Sequence, residues 1–310
     1  MINITLASGT METIGLHPKS TGPSGFFIFL SVLNIFFSIT AFLGNALILT
    51  ALRKVTSIHP PTKLLLQCLA INDLLVGLLL LPRLAVISSF VTQNTQENIL
   101  YYSSAIAIFL ITVSVLTSTA ICLDRLLALL LGLRYRHTVT FSRAGATMIW
   151  IWFMGCAVIG LIFGTGYFDW ARFAINLLML LSLLISFFSY VKIYLLLRRQ
   201  QLQLRGHFQQ VQARNEFMPL NIARYKKTVY SIACVQVALL ICYLPFTIVG
   251  MLLTSRKIPD ALGSSFFRAT ITILCFNSSL NPILYCWRIR EVKQAVKDTT
   301  RQLNLCRASI

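Results

Sequence analysis

One carboxylate, Asp73, lies in the middle of an apolar run, "LAINDLLVG". Other polar groups interrupt equally apolar stretches: Asn45 in "LGNALIL", Ser114 in "ITVSVLT", and Asn277, Ser278 and Asn281 in "NSSLNPILYCW". In hydrocarbon an unpaired polar group costs free energy, and a charged one costs more. These groups are therefore expected to meet one another, away from lipid. A carboxylate surrounded by hydroxyl and amide oxygens suits a small hard cation such as sodium. A hydrogen-bonded cluster with no ion would use the same residues. A second polar feature is Asp124-Arg125 in "CLDRLLAL", near the end of another apolar run. Charges there commonly snorkel to the interface.

Enzyme chemistry is not indicated. No His-Glu-x-x-His, Gly-x-Ser-x-Gly or paired-aspartate motif falls in an apolar run. The four histidines, His17, His59, His137 and His207, all fall in connections or tails. Of the eight cysteines only Cys306 lies outside the apolar segments, and no spacing resembles a metal site.

The elements that must position these residues follow from composition. The chain has 310 residues, 56% hydrophobic and 12% charged, against about 25% charged in a soluble domain. Seven stretches reach the roughly 20 apolar residues that a spanning helix needs. They are 26–52, 63–91, 99–131, 144–165, 171–197, 223–254 and 262–287. The connections 92–98 and 166–170 are short, and 198–221 is polar and basic. Pro245 and Pro282 fall inside the sixth and seventh spans, where each removes a backbone hydrogen bond and favours a kink. The expected fold is an all-α membrane protein, a seven-transmembrane helix bundle with a C-terminal amphipathic eighth helix. Residues 1–25 form an outer N-terminal segment, 26–287 the bundle, and 288–310 a cytoplasmic helix and tail.

The net charge of +18 does not indicate nucleic acid. Most of the 27 Lys and Arg fall beside the connections of one membrane side, as the positive-inside rule requires of the cytoplasmic face. That puts the C-terminus inside and the N-terminus outside, and it gives the inner face an attraction for anionic membrane lipids. The segment before Gly25 is polar, so the first span is expected to act as its own insertion signal. Asn3-Ile4-Thr5 is a glycosylation sequon on the outer side, whereas Asn277-Ser278-Ser279 lies within a span, out of reach of that machinery. After Trp287, Ile289, Val292, Ala295 and Val296 recur at helical spacing between basic positions, which suits a helix on the inner leaflet. Cys306 near its end is a candidate for palmitoylation or a free thiol.

In this order and spacing the motifs resemble those of the rhodopsin-like (class A) G-protein-coupled receptors, from Phe26 to Cys306. Gly44-Asn45 matches the first-helix pair and "LAIND" the second-helix motif. Asp124-Arg125-Leu126 looks like D-R-Y, Trp152 like the fourth-helix tryptophan, and Tyr190 like the fifth-helix tyrosine. "CYLP" looks like C-W-x-P with Tyr243 in place of Trp, and "NPILY" is N-P-x-x-Y. The resemblance implies a plasma-membrane receptor that passes an extracellular signal to a heterotrimeric G protein by outward movement of the sixth helix. It implies that Arg125 meets the G protein, that Tyr190 and Tyr285 support the open state, and that Tyr243, Pro245, Asn281 and Pro282 belong to the switch. It also puts Asp73, Ser114, Asn277 and Asn281 at an allosteric sodium site.

Several departures narrow the ligand. The usual cysteine at the top of the third helix is absent, as is the fifth-helix proline, with Ser182 near its place. These absences and "LRYRHTVTFSRA" resemble the melanocortin–adenosine–cannabinoid branch, although the acidic melanocortin pocket residues are missing. Ala107 stands where aminergic receptors carry an aspartate, so a typical amine is disfavoured. Peptide, lipid and other small molecules stay open. Cys275 stands where an opsin would carry its lysine, so no retinal is expected. Arg83 and Arg268, near the outer ends of the second and seventh spans, would suit a carboxylate or phosphate, or simply water and headgroups at the interface. "IARYKKT" offers no acid to lock Arg125, which favours appreciable basal activity. A small transporter or channel is the alternative, and the absence of internal repeats weighs against it.

Overall fold

The structure, a computed structural model, describes residues 25–89, 97–165, 168–211, 237–253, 255, 260–288 and 290–308. Among them there is helix and no strand. Asn3, residues 92–96, "IARYKKT" and Cys234 lie outside the described residues. The helices are α1 (Gly25–Lys54), α2 (Pro60–Ser89), α3 (Glu97–Leu131), α4 (Phe141–Thr165), α5 (Phe168–Val211), α6 (Val237–Leu253), α7 (Asp260–Arg288) and α8 (Arg290–Ala308). Six of them are long and apolar enough to cross a membrane, and α6 is a shorter apolar helix. Only a helix closes its own backbone hydrogen bonds within one segment, which is why lipid selects it.

The helices turn an apolar face outward and bury their polar side chains together with apolar ones. On α1 the buried face carries Ser31, Asn34, Ala41, Asn45 and Ile48. Phe29, Val32, Ile35, Phe36, Ile39 and Leu43 are exposed. That outer face is lipid-compatible, and the buried stripe contacts both halves of α2 and α7. The largest apolar cluster of the interior surrounds Val76, Leu80, Leu110, Val115, Met179, Leu239, Phe246 and Leu274.

Local features depart from the simple spans. α2 begins with Pro60 and Pro61, where a missing N–H is harmless. It then contains a π turn, Val76–Leu80, just beyond Asp73, which apolar patterning alone cannot reveal. α5 starts at Phe168, earlier than the expected end of the 166–170 connection, and runs to Val211, so the first part of the expected 198–221 connector is helix. At 1.5 Å per residue its 44 residues reach about 65 Å, twice the hydrocarbon thickness. Its polar C-terminal turns therefore continue beyond the bilayer. α7 continues through Pro282 and α6 through Pro245.

α8 packs its buried side against α1. Val292 joins Ile48, Leu52, Leu66 and Ala70, while Ala295 joins Ala51 and Val55. Lys54 Nζ donates to Thr299 Oγ1 at 3.1 Å. Part of the apolar face expected to meet the inner leaflet is thus used on the bundle itself.

Candidate functional site

The polar groups gather on Asp73, which is 0% exposed. Ser278 Oγ donates to its Oδ1 at 2.7 Å, and Asn281 Nδ2 donates to its Oδ2 at 2.6 Å. Ser114 also lies within hydrogen-bonding reach. No Lys or Arg among the described residues pairs with this carboxylate. Beside it is a small cavity bounded by Ser114, Tyr243, Ser278, Val76, Ile111, Leu274 and Cys275.

Asn277 turns elsewhere. Its Nδ2 donates to the Tyr243 hydroxyl at 3.2 Å, and no bond joins it to Asp73. Ser278 takes that place, one residue on. The reason is helical: Ser278 and Asn281 are three apart and share a face, whereas Asn277 lies about 100° round from Ser278. The Tyr243 hydroxyl also lies within reach of Ser114 and Ser118, so it joins α3, α6 and α7.

Asn45 has a distinct task. Pro282 has no N–H, so the carbonyl of Ser278, four residues earlier, loses its helical donor. Asn45 Nδ2 supplies it at 3.0 Å and also donates to Ala41 O at 2.8 Å. The neighbouring Gly44 makes the approach physically available. A Cβ there would stand 2.9 Å from Pro282 Cγ. The Gly-Asn pair and the Asn-Pro pair are therefore one joint between α1 and α7. Asn45→Ala should leave the Ser278 carbonyl buried without a donor and lower stability by about 1–3 kcal/mol. The check is the thermal midpoint of purified protein, and an unchanged midpoint would show that the carbonyl finds another donor.

At the other end of α3, Asp124 is buried and held by two hydroxyls. Tyr135 OH donates to Oδ1 at 2.5 Å and Thr62 Oγ1 to Oδ2 at 2.9 Å. Arg125 Nε stands 3.8 Å from Oδ2, with its side chain 30% exposed. The delivery of Tyr135 depends on Gly132, whose φ of +50° ends α3 in a conformation that few other residues tolerate. A 3-10 turn, Gly132–Arg134, then carries the chain into a one-turn helix, Tyr135–Thr138. His59 lies against the Tyr135 ring at 5.0 Å.

Sequence reasoning missed Thr62 and Tyr135. Tyr135 sits in the quoted "LRYRHTVTFSRA", and the signal that could have found both is the need of a buried Asp124 for donors. It also missed Asn72, whose Nδ2 donates to Leu110 O at 3.1 Å and ties α2 to α3.

The remaining expected residues are more scattered. Tyr285 is part-buried against the α1–α2–α8 cluster. Tyr190 is part-buried on α5. Pro245 lies within α6, and Ala107 packs on the main core. Arg83 is part-buried near the outer end of α2. Arg268 places its guanidinium over the Phe27 ring, 5.0 Å from the centroid. Cys306 falls on α8.

The model of the seven-transmembrane receptors of the rhodopsin family matches residues 44–173 and 169–285. The chain belongs to that family. Receptors of known name are similar over most of its length. Melanocortin receptor 5 of Rattus norvegicus is 22% identical over 277 residues, covering 84% of this chain and 80% of that protein. Trace amine-associated receptor 9 of Rattus norvegicus is 23% identical over 291 residues, covering 84% and 83%. Histamine H2 receptor of Cavia porcellus is 26% identical over 302 residues, covering 90% and 80%. The receptor is thus a multi-pass membrane protein of the G-protein-coupled class and not an enzyme. Nothing in these relatives supports a transporter or channel.

Proposed function

We propose that this receptor works at the plasma membrane with its N-terminus outside, and that it passes the signal of a non-amine extracellular ligand to a heterotrimeric G protein through Arg125. The observation that carries the reading is the state of the Asp124-Arg125 pair. Asp124 is satisfied by Tyr135 and Thr62, while Arg125 keeps one long contact and partial exposure at the end of α3. A guanidinium in that state is free to change partners at low cost, and five donors in a planar fork suit backbone carbonyls and carboxylates of an incoming segment. Outward movement of α6, bent about Pro245, would open the path to it. The named relatives take melanocortins, trace amines and histamine as their names state. Ala107 in place of an acid argues against the amine classes for this chain. Asn3 and Cys306 are proposed as its glycosylation and palmitoylation sites.

The Asp73 cluster is proposed to hold an allosteric sodium ion. Asp73, Ser114 and Ser278 would hold it, with Asn281 bracing the carboxylate. Two buried oxygens nearby in the bundle, Asn45 Oδ1 and Asn277 Oδ1, have no donor, as suits a site of hard oxygen ligands. A bound cation stabilises whichever packing keeps its cavity open, and so opposes the alternative one. Basal nucleotide exchange should therefore be severalfold lower in sodium than in N-methyl-D-glucamine at matched ionic strength. Asp73→Asn should abolish that difference while the chain still folds, because the amide can bond Ser114 and Ser278. Equal exchange in both salts for the parent receptor would withdraw the ion and leave the cluster structural.

A further inference from the structure

The outer third of α1 carries a polar side chain that the rest of the bundle does not use. Asn34 is 1% exposed, and neither its Nδ2 nor its Oδ1 has a hydrogen-bond partner. Its direction follows from the bonds on either side. Ser31 Oγ donates to Ala85 O and Ser38 Oγ to Gly77 O, so that flank of α1 faces α2. Phe37 packs on Phe276, ring centroids 4.7 Å apart, so the other flank faces α7. Asn34 lies between these flanks on the same column as Phe27, Ala41 and Asn45, aimed into the seam where α1, α2 and α7 meet. The α2 residue opposite, interpolated between Ala85 and Gly77, is Leu81, which is fully buried and offers no side-chain partner.

Two turns above Asn34, at the mouth of the same seam, is a cation with no anionic partner among the described residues. Arg268 from α7 lies over Phe27, and its Nη1 is buried with no hydrogen-bond partner. A ring face attracts a guanidinium but supplies no lone pair in the plane of its N–H bonds. Seven residues of helix separate Phe27 from Asn34, a rise of about 10 Å. One buried cationic donor and one buried neutral amide thus share an apolar seam at a defined spacing.

We infer that this seam between α1, α2 and α7 is a recognition site for an elongated organic anion, with a carboxylate or phosphate on Arg268 and a neutral hydrogen-bonding group about 10 Å further in on Asn34. The inference rests on the receptor reading for its use as the ligand site, but the binding itself needs no G protein. An oxyanion completes the Arg268 fork, and a hydroxyl or amide completes Asn34, which can both donate and accept. The apolar wall between them selects a chain rather than a second charge. By the same register Arg83 on α2 lies near the level of Asn34, and its charge adds positive potential to this end of the bundle, which favours approach of an anion.

The test uses the full-length receptor in lipid nanodiscs and reads its thermal midpoint against 10-hydroxydecanoate, decanoate, decyl phosphate, inorganic phosphate, 1-decanol and decyltrimethylammonium. The first three should raise the midpoint saturably, with 10-hydroxydecanoate half-saturating below decanoate. Inorganic phosphate acting alone would mean a bare anion site and would overturn the elongated ligand, whereas a saturable decyl phosphate response without a carboxylate response would support it with phosphate as the anion. Arg268→Gln should weaken 10-hydroxydecanoate about tenfold or more, whereas Arg268→Lys should stay much closer to the parent. Asn34→Leu should raise the midpoint without any probe, because it removes an unsatisfied amide, and should erase the preference for the hydroxy acid. No saturable shift in the parent, an equal shift with the alcohol or the cation, or an unaltered Arg268→Gln would overturn the proposal. Basal nucleotide exchange on the same preparations separates the two readings. Probe binding without any exchange counts against the G-protein reading alone, and exchange without probe binding counts against this site alone.

Discussion

Arg125→Ala is expected to bring G-protein nucleotide exchange down to the level of receptor-free membranes while most of the protein still reaches the cell surface. The two halves of this expectation have separate physical grounds. Folding should be little affected. The Arg125–Asp124 contact is long and partly exposed, and such a pair contributes about 0–1 kcal/mol. Asp124 does not become an orphan when Arg125 is removed, because the Tyr135 and Thr62 hydroxyls keep both of its oxygens occupied. Coupling should fail, because a methyl group cannot replace a planar cation that carries five donors. Surface immunostaining and nucleotide exchange measured on the same cells check both halves. Normal exchange from a well-expressed variant would remove Arg125 from the coupling role. Arg125→Lys should be intermediate, since it keeps the charge but loses the fork.

The sequence made the membrane bundle legible because lipid imposes a simple rule: long apolar runs become helices. It made the Asp73 cluster legible for the converse reason, since polar residues in such runs must find one another. Reading which polar residue meets which was harder. Asn277 and Ser278 are adjacent in sequence, and one step of helix decides that Ser278 rather than Asn277 reaches Asp73. The π turn at Val76–Leu80 was hidden because an inserted residue changes the register without changing the composition. The donors to Asp124 were hidden because Thr62 lies 62 residues away in sequence and Tyr135 is delivered by the turn at Gly132. Asn34 lies in no motif, so its sequence context carries no signal. Its significance is an absence of partners, and partners are seen only in three dimensions.

Tyr243→Phe is expected to raise basal exchange about five- to tenfold, and the argument turns on where one hydroxyl is bonded. Tyr243 stands in "CYLP", where the C-W-x-P motif that this stretch resembles has tryptophan. Its hydroxyl accepts from Asn277 at 3.2 Å and reaches Ser114 and Ser118, which ties α6 to α7 and α3 half a turn before Pro245. The same side chain walls two cavities, one beside Ser114 and Ser278 and one among Ser118, Thr119, Ser182 and Ser186. Phenylalanine keeps the ring packing and removes only the hydroxyl. Asn277 Nδ2 then joins Asn277 Oδ1 as a buried group without a partner, at a cost of about 1–3 kcal/mol. A cost shared equally by both packings of the bundle would lower the thermal midpoint and leave the activity unchanged, because only a differential cost shifts a population. If α6 moves outward about Pro245 as proposed, Tyr243 would separate from α3 and α7, so the cost should fall on the packing described here and relieve the one with α6 displaced. A differential of about 1–1.4 kcal/mol gives the five- to tenfold rise. Asn277→Leu should raise exchange in the same direction, and combining it with Tyr243→Phe should add little, because both remove one bond. A fall in the thermal midpoint with basal exchange unchanged would show that Tyr243 braces both packings and is no part of the switch.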